Sequence, residues 1–216
     1  MINLNILIIG ICGKMGSLIY EYLKNSHNII GIDIINHPDV KMIKNINNID
    51  LDLIIDFSDA SCYEYLLEGI KKHIPVFSGT TTYSIEQISY LSNLAKELNS
   101  VFVWKPNYAK GVKVVSELIN VCKDNYNIVD LVETHDINKK DSPSGTAKLL
   151  VNVLDSKINI QSLRLIKSNA VHEIIFYDSN ERITIKYESL SKMSFVLGLM
   201  EEIKRFGVDV DVGNIV

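Results

Sequence analysis

The chain has 216 residues, 47% of them hydrophobic and 22% charged, enough for one large packed domain or two small ones. A net charge of −4 argues against the basic face of a duplex binder, so no nucleic-acid partner is expected. No window of about 20 residues is apolar enough to span a bilayer, no basic leader precedes the first apolar run, and Cys12, Cys62 and Cys122 are an odd number without metal-like spacing; a cytoplasmic protein with no membrane partner is the expectation.

Leu4 to Ile9 is an apolar run ending in glycine and reads as a strand buried on both faces. A helical pattern covers Ser17 to Lys24, and Ile29 to Asp33 is the next strand. Leu51 to Asp56 is a third strand, Cys62 to Lys72 a helix, Pro75 to Ser78 a strand, Ile85 to Leu98 a helix and Val101 to Trp104 a strand. Strands alternating with helices predict an open, mostly parallel α/β sheet of Rossmann type. After Pro106 the pattern changes. Val112 to Cys122 is helical, Ile128 to Thr134 is a strand and Ala147 to Leu154 is helical. Leu163 to Ile166, His172 to Tyr177 and Arg182 to Tyr187 are strands without helices between them, the last two joined by the turn signal Asp178-Ser179-Asn180-Glu181. This part predicts a smaller α+β domain with a mainly antiparallel open sheet. The expected division is residues 1–107, completed by 191–216 through a helix at Phe195 to Phe206, and 108–190 for substrate binding and oligomerisation.

Gly10, Gly13 and Gly16 lie between a strand and a helix. Gly10 suits the tight turn, Gly13 the approach of a pyrophosphate and Gly16 close helix packing; Cys12 takes the place of the usual middle glycine. Asp33 ends the second strand, where a ribose-binding acid belongs. Followed by Ile34, which offers no positive charge, it favours NADH over NADPH, although Lys14 could still reach a phosphate. Gly79-Thr80-Thr81 and Asp56-Phe57-Ser58 end strands, where ligands of such sheets bind; a plain turn with a Thr or Ser helix cap is the alternative.

The densest chemistry lies in Glu133 to Thr146, a charged loop that delivers the chain into a helix. Ser144-Gly145-Thr146 at the helix start offers unpaired N–H groups to a carboxylate, or a simple cap. His135 and Lys139 are proton-transfer candidates; the alternatives are a strand-end histidine bonded to its surroundings and a solvated lysine. Asp141 reads as orienting a lysine or a loop N–H, Glu133 as bracing His135 or the fold, and His172 and Lys192 as further groups that could face a substrate. No run of His, Cys, Asp or Glu has metal spacing, so no metal is predicted.

With these pieces in place the chain resembles the 4-hydroxy-tetrahydrodipicolinate reductase (dihydrodipicolinate reductase) family nearly end to end. The resemblance rests on Gly10-Ile11-Cys12-Gly13-Lys14-Met15-Gly16, Asp56-Phe57-Ser58, Gly79-Thr80-Thr81, Pro106 to Val112, Glu133-Thr134-His135, Lys139 to Ala147 and Ser191 to Phe195. It implies a homotetramer built through the second domain's sheet. It also implies hydride transfer from NADH or NADPH to a small cyclic dicarboxylate of lysine and diaminopimelate biosynthesis. By resemblance His135 takes the catalytic histidine position and Lys139 that of the proton-donating lysine, with Gly145 and Thr146 at the carboxylate-binding positions. Gly10, Ile11, Cys12, Gly13, Lys14, Met15, Asp33, Gly79, Thr80, Thr81, Lys105, Pro106, Asn107 and Tyr108 take the cofactor positions. One departure concerns the substrate: the family's second adjacent histidine, which contacts a substrate carboxylate, is here Asp136, and an ionised Asp would repel that group. Other departures are Arg164-Leu165-Ile166-Lys167, Asn107-Tyr108-Ala109 and Lys192 to Gly198.

Overall fold

The structure, a computed structural model, describes residues 3–155 and 158–210. Residues 1–2 ahead of the first strand and 211–216 of the expected closing segment lie outside the described residues. The chain divides after Lys105 and after Phe195, a few residues from the expected divisions after Asn107 and Leu190.

The first unit contains β1 (Asn5–Ile9), α1 (Lys14–Leu23), β2 (Asn28–Ile32), β3 (Lys41–Met42), β4 (Leu53–Asp56), α2 (Tyr63–Lys71), β5 (Val76–Ser78), α3 (Ile85–Glu97) and β6 (Phe102–Trp104). Its sheet is ordered β3-β2-β1-β4-β5-β6, with every pairing parallel. Ile6 to Ile9 and Leu53 to Ile55 are fully buried, because helices cover both faces of a doubly wound sheet. The strand order turns back at β1 and β4, so a crevice opens outside their C-terminal ends. β3 was not expected from the sequence. It pairs only at Lys41 and Met42, with Lys41 exposed, too little for a period-two pattern.

The second unit, Pro106–Phe195, contains α4 (Lys110–Lys123), β7 (Ile128–Asp136), α5 (Gly145–Leu154), β8 (Ile160–Leu165), β9 (Ala170–Tyr177) and β10 (Arg182–Ser189). α6 (Met193–Arg205) begins here and passes into the first unit. The sheet is ordered β10-β9-β7-β8. β7 and β8, joined through α5, are parallel, and the other pairs are antiparallel. Asp178 Oδ1 closes the β9–β10 hairpin by accepting from the N–H groups of Asn180 (2.7 Å) and Glu181 (3.0 Å). Leu131, Ile174 and Phe176 point inward onto Val112, Val115, Ile119 and Leu150 of the helices. Strand alternation places Glu133 and His135 on that inner face beside Leu131, and His172 beside Ile174. The other face carries Ile128, Leu163 and Leu165, each about half exposed.

Candidate active site

In the first unit the chain leaves β1 at Gly10, whose φ of +80° a side chain would strain. A Cβ at Gly16 would lie 2.0 Å from the Gly10 carbonyl oxygen, so the missing side chain is what lets α1 rest on the turn. The N–H of Gly13 donates to that carbonyl at 2.9 Å. α1 begins at Lys14 without a side-chain cap, leaving first-turn N–H donors for an anion. Ile11, Cys12 and Met15 line this turn by sequence position. Asp33 faces the turn: its Oδ2 accepts from the Cys12 N–H at 2.9 Å and its Oδ1 from the Ile35 N–H at 3.3 Å. Burial, and then the Asp33 charge, push the Cys12 thiol up, so it stays protonated.

The ends of β4 and β5 are locked together by Asp56, which is fully buried. Its carboxylate accepts from Ser58 Oγ, from Ser78 Oγ (2.7 Å) and from the Tyr83 hydroxyl (3.2 Å). Burial holds its pKa above the usual carboxylate range despite these bonds, and burial beside Asp56 raises the Tyr83 phenol as well. Thr80 is committed to the same lock. Its hydroxyl accepts from the Ser58 N–H at 2.8 Å and its carbonyl from Trp104 Nε1 at 2.7 Å, and its side chain is buried. Gly79 and Thr81 remain accessible; the turn leads on into α3, whose cap is a serine, Ser84, in a capping box with Gln87. Lys105 pairs with Glu202 of α6 at 2.7 Å. Neither the Asp56–Tyr83 bond nor this ion pair was read from the sequence, because each joins residues whose proximity only the fold creates.

Pro106, Asn107 and Tyr108 belong to the second unit. There Asn107 Nδ2 donates to Thr146 Oγ1 at 2.9 Å, and its Oδ1 accepts from the Ala109 N–H at 2.8 Å, fixing the entry to α4. The centre of this unit's site is Glu133, fully buried on β7. Its carboxylate accepts from Ser162 Oγ at 2.7 Å, from Arg164 Nη2 at 3.2 Å and from the Ser144 N–H at 3.1 Å. His135 Nδ1 lies 3.5 Å and His172 Nε2 lies 3.7 Å from Glu133 Oε2. β7 and β9 pair with Glu133 opposite His172, and this register, invisible in the sequence, completes the group. Burial tends to raise Glu133, but hydrogen bonds from Ser144 and Ser162 outweigh it and hold the carboxyl below its usual range. Burial depresses His135, and depresses His172 to about 4.

Ser144 caps α5: its Oγ accepts from the Ala147 N–H at 3.1 Å and lies 3.2 Å from His172 Nε2. So the capping alternative holds for Ser144, whereas Gly145 beside it is different. A Cβ built at Gly145 meets no atom within 4 Å, so the helix start has room for an incoming group. Lys139 pairs with Asp141 at 2.7 Å, and Arg164 Nη2 holds the Asp141 carbonyl at 2.6 Å. Asp136 is not brought to the buried group. One step beyond His135 on the strand, its side chain lies on the opposite face and accepts from the Asn138 N–H (2.9 Å), Asn138 Nδ2 (2.8 Å) and the Lys167 N–H (3.0 Å). It braces the turn, and the charge expected against a substrate carboxylate is spent on loop donors.

The N-terminal dihydrodipicolinate reductase family model matches residues 4–108, and the C-terminal one residues 111–212. The 4-hydroxy-tetrahydrodipicolinate reductase of Thermosipho africanus is 30% identical, with 91% of this chain and 88% of that protein covered. The protein of the same name from Rickettsia peacockii is 32% identical, with 92% and 91% covered. Among solved structures, a dipicolinate-bound dihydrodipicolinate reductase from Paenisporosarcina matches with a TM-score of 0.80 at 20% identity, covering 94% of each chain. Aspartate dehydrogenase from Thermotoga maritima matches at 0.66 and 15% identity, covering 98% of this chain and all of that one. At such identities the structural matches speak for the fold.

Proposed function

The chain belongs to the dihydrodipicolinate reductase family, a family of nicotinamide-dependent oxidoreductases, and we propose that it reduces (4-hydroxy-)tetrahydrodipicolinate in lysine and diaminopimelate biosynthesis. The observation that carries this reading is the second unit's juxtaposition of a sterically open helix start at Gly145 with a buried Glu133, His135 and His172 group. One part suits a carboxylate and the other a proton, which is what reduction of an unsaturated cyclic dicarboxylate requires.

The positive-φ turn at Gly10, the close approach at Gly16 and the uncapped start of α1 fit a dinucleotide's pyrophosphate, with Asp33 for the ribose and Gly79 and Thr81 for the nicotinamide end. Asp33 and Ile34 favour NADH over NADPH. When bound, the reduced cofactor supplies a hydride to ring C4 of the substrate. The Gly145 and Thr146 N–H groups hold a substrate carboxylate, and Asn107 orients the Thr146 hydroxyl. Electrons displaced toward the ring nitrogen leave an enamine that needs a proton at carbon. Lys139, held by Asp141, delivers it, and His135 takes part in the transfer. The half-exposed apolar side chains of Ile128, Leu163 and Leu165 on one sheet face support self-association through that face as a homotetramer. The test is a coupled assay with aspartate semialdehyde, pyruvate and the preceding synthase, following NADH or NADPH consumption. Turnover is expected; its absence with both cofactors would refute the proposal.

A further inference from the structure

The facing nitrogen and oxygen atoms of Glu133, His135 and His172 all lie within 4.8 Å of one another, in a pocket of side chains that are each nine-tenths buried or more. A transition metal uses such spacings. However, the Arg164 guanidinium sits 3.2 Å from Glu133 Oε1, and a fixed cation on the one anionic ligand opposes a dication. A proton suits the group better. At rest Glu133 is ionised and balanced by Arg164, while burial keeps both imidazoles neutral. Neither Nδ1 has a hydrogen-bond partner among the described residues. The 3.5 Å and 3.7 Å gaps from the rings to Glu133 Oε2 become hydrogen bonds with shifts below an ångström. Ser144 ties this group to the helix start: its N–H is bonded to Glu133, and its Oγ lies between His172 and the Ala147 N–H.

We infer that Glu133, His135 and His172 form one proton-holding group that takes up about one proton when a dicarboxylate binds at the start of α5, with Glu133 and His172 as positioning residues for the proton on His135. This rests on the substrate reading proposed above. The charged and titratable groups around the site are Glu133 and His135 on β7, Lys139 and Asp141 on the loop, Arg164 on β8, His172 on β9 and the Tyr187 phenol stacked on His172 from β10. Lys139 is paired with Asp141 and Arg164 with Glu133, so a dianion enters a nearly neutral set. A proton on an imidazole is the charge that set can add. Each reduction adds one hydride and one proton to the substrate, and the proton taken up on His135 is the one that replaces what Lys139 gives to the ring carbon.

The test is calorimetric titration of the NADH-saturated protein with pyridine-2,6-dicarboxylate at about pH 7 in phosphate and in Tris, whose ionisation enthalpies differ. The expected result is a difference in binding enthalpy about equal to the difference between the two buffers' ionisation enthalpies, as uptake of one proton requires, with affinity falling nearly tenfold per pH unit above the neutral range. Glu133→Gln and His172→Gln should bind with uptake close to zero. Binding with equal enthalpy in both buffers overturns the coupling and leaves the substrate reading standing. Failure to bind in either buffer removes that reading and the coupling with it. Uptake that persists undiminished in both variants puts the proton elsewhere and also overturns the inference. Should the variants unfold, the wild-type pH slope decides alone, a flat slope being the refuting result.

Discussion

Gly145→Ala separates binding from stability. Gly145 is the first residue of α5, behind the Ser144 cap, and a Cβ there meets nothing within 4 Å. The methyl therefore disturbs no neighbour. Alanine also loses less backbone entropy than glycine on entering a helix, a gain of about 0.5 kcal/mol or somewhat more. For a unit of this size that is a rise in Tm of roughly 2–4 °C. The ligand meets the opposite effect, because the methyl occupies the space beside the N–H groups that a carboxylate must approach to about 2.9 Å. Losing one charge-assisted hydrogen bond costs about 1.5–3 kcal/mol, roughly ten- to a hundred-fold in affinity. Thermal melts and titration with pyridine-2,6-dicarboxylate measure both. A variant that is more stable and binds as tightly as the wild type would show that the open space is not the carboxylate site. A clear loss of stability would show that the space is not open.

Lys139→Ala should cut turnover greatly while NADH affinity stays near wild type, since Lys139 pairs only with Asp141 on its own loop among the described residues; a near-normal rate would end its proposed role. Initial rates should favour NADH, and Asp33→Ser should move the preference toward NADPH; a wild-type preference for NADPH would contradict the reading of Asp33 and Ile34. His172 has a folded pKa of about 4, below its unfolded value, so the unfolded chain binds the proton first as pH falls. The stability this group contributes is complete above about pH 6.5 and is lost toward pH 4, on the order of 3 kcal/mol in all. Melts in that window should show a flatter acid loss for His172→Gln, and identical slopes would refute it. Light scattering should find a tetramer that Leu163→Asp with Leu165→Asp dissociates; a wild-type monomer would count against association through this face.

The sequence showed those parts of the site that are local. The turn at Gly10 to Gly16, the strand that delivers Asp33 just past its end and the helix opening at Ser144 are each written within a few residues, as steric and capping rules act at that range. Glu133 was read as bracing His135 or the fold and Asp141 as orienting a lysine or a loop N–H; Glu133 lies 3.5 Å from His135 and Asp141 2.7 Å from Lys139. What the sequence hid depends on register. His172 meets Glu133 because β9 runs antiparallel to β7 at one particular offset, and a slip of one residue would turn its ring to the other face. Arg164 reaches Glu133 for the same kind of reason, through the parallel pairing of β8. Asp136 shows the converse. The family resemblance put Asp136 at a substrate-facing position beside His135, but strand alternation separates neighbours by a full face.

The position of β7 within its sheet has a kinetic consequence. β7 is flanked by β8 on one side and β9 on the other, so its amides are released only when the sheet comes apart. Lys139 and Asp141, by contrast, sit on the connection between β7 and α5, where Lys139 is partly exposed and Asp141 about half exposed. In hydrogen–deuterium exchange the backbone of Glu133 and His135 should remain protonated until the unit opens globally, while that of Lys139 to Asp141 exchanges early. Lys139, the proposed proton donor, would then move on a far shorter timescale than Glu133 and His135, so its loop could sample positions without disturbing that buried group.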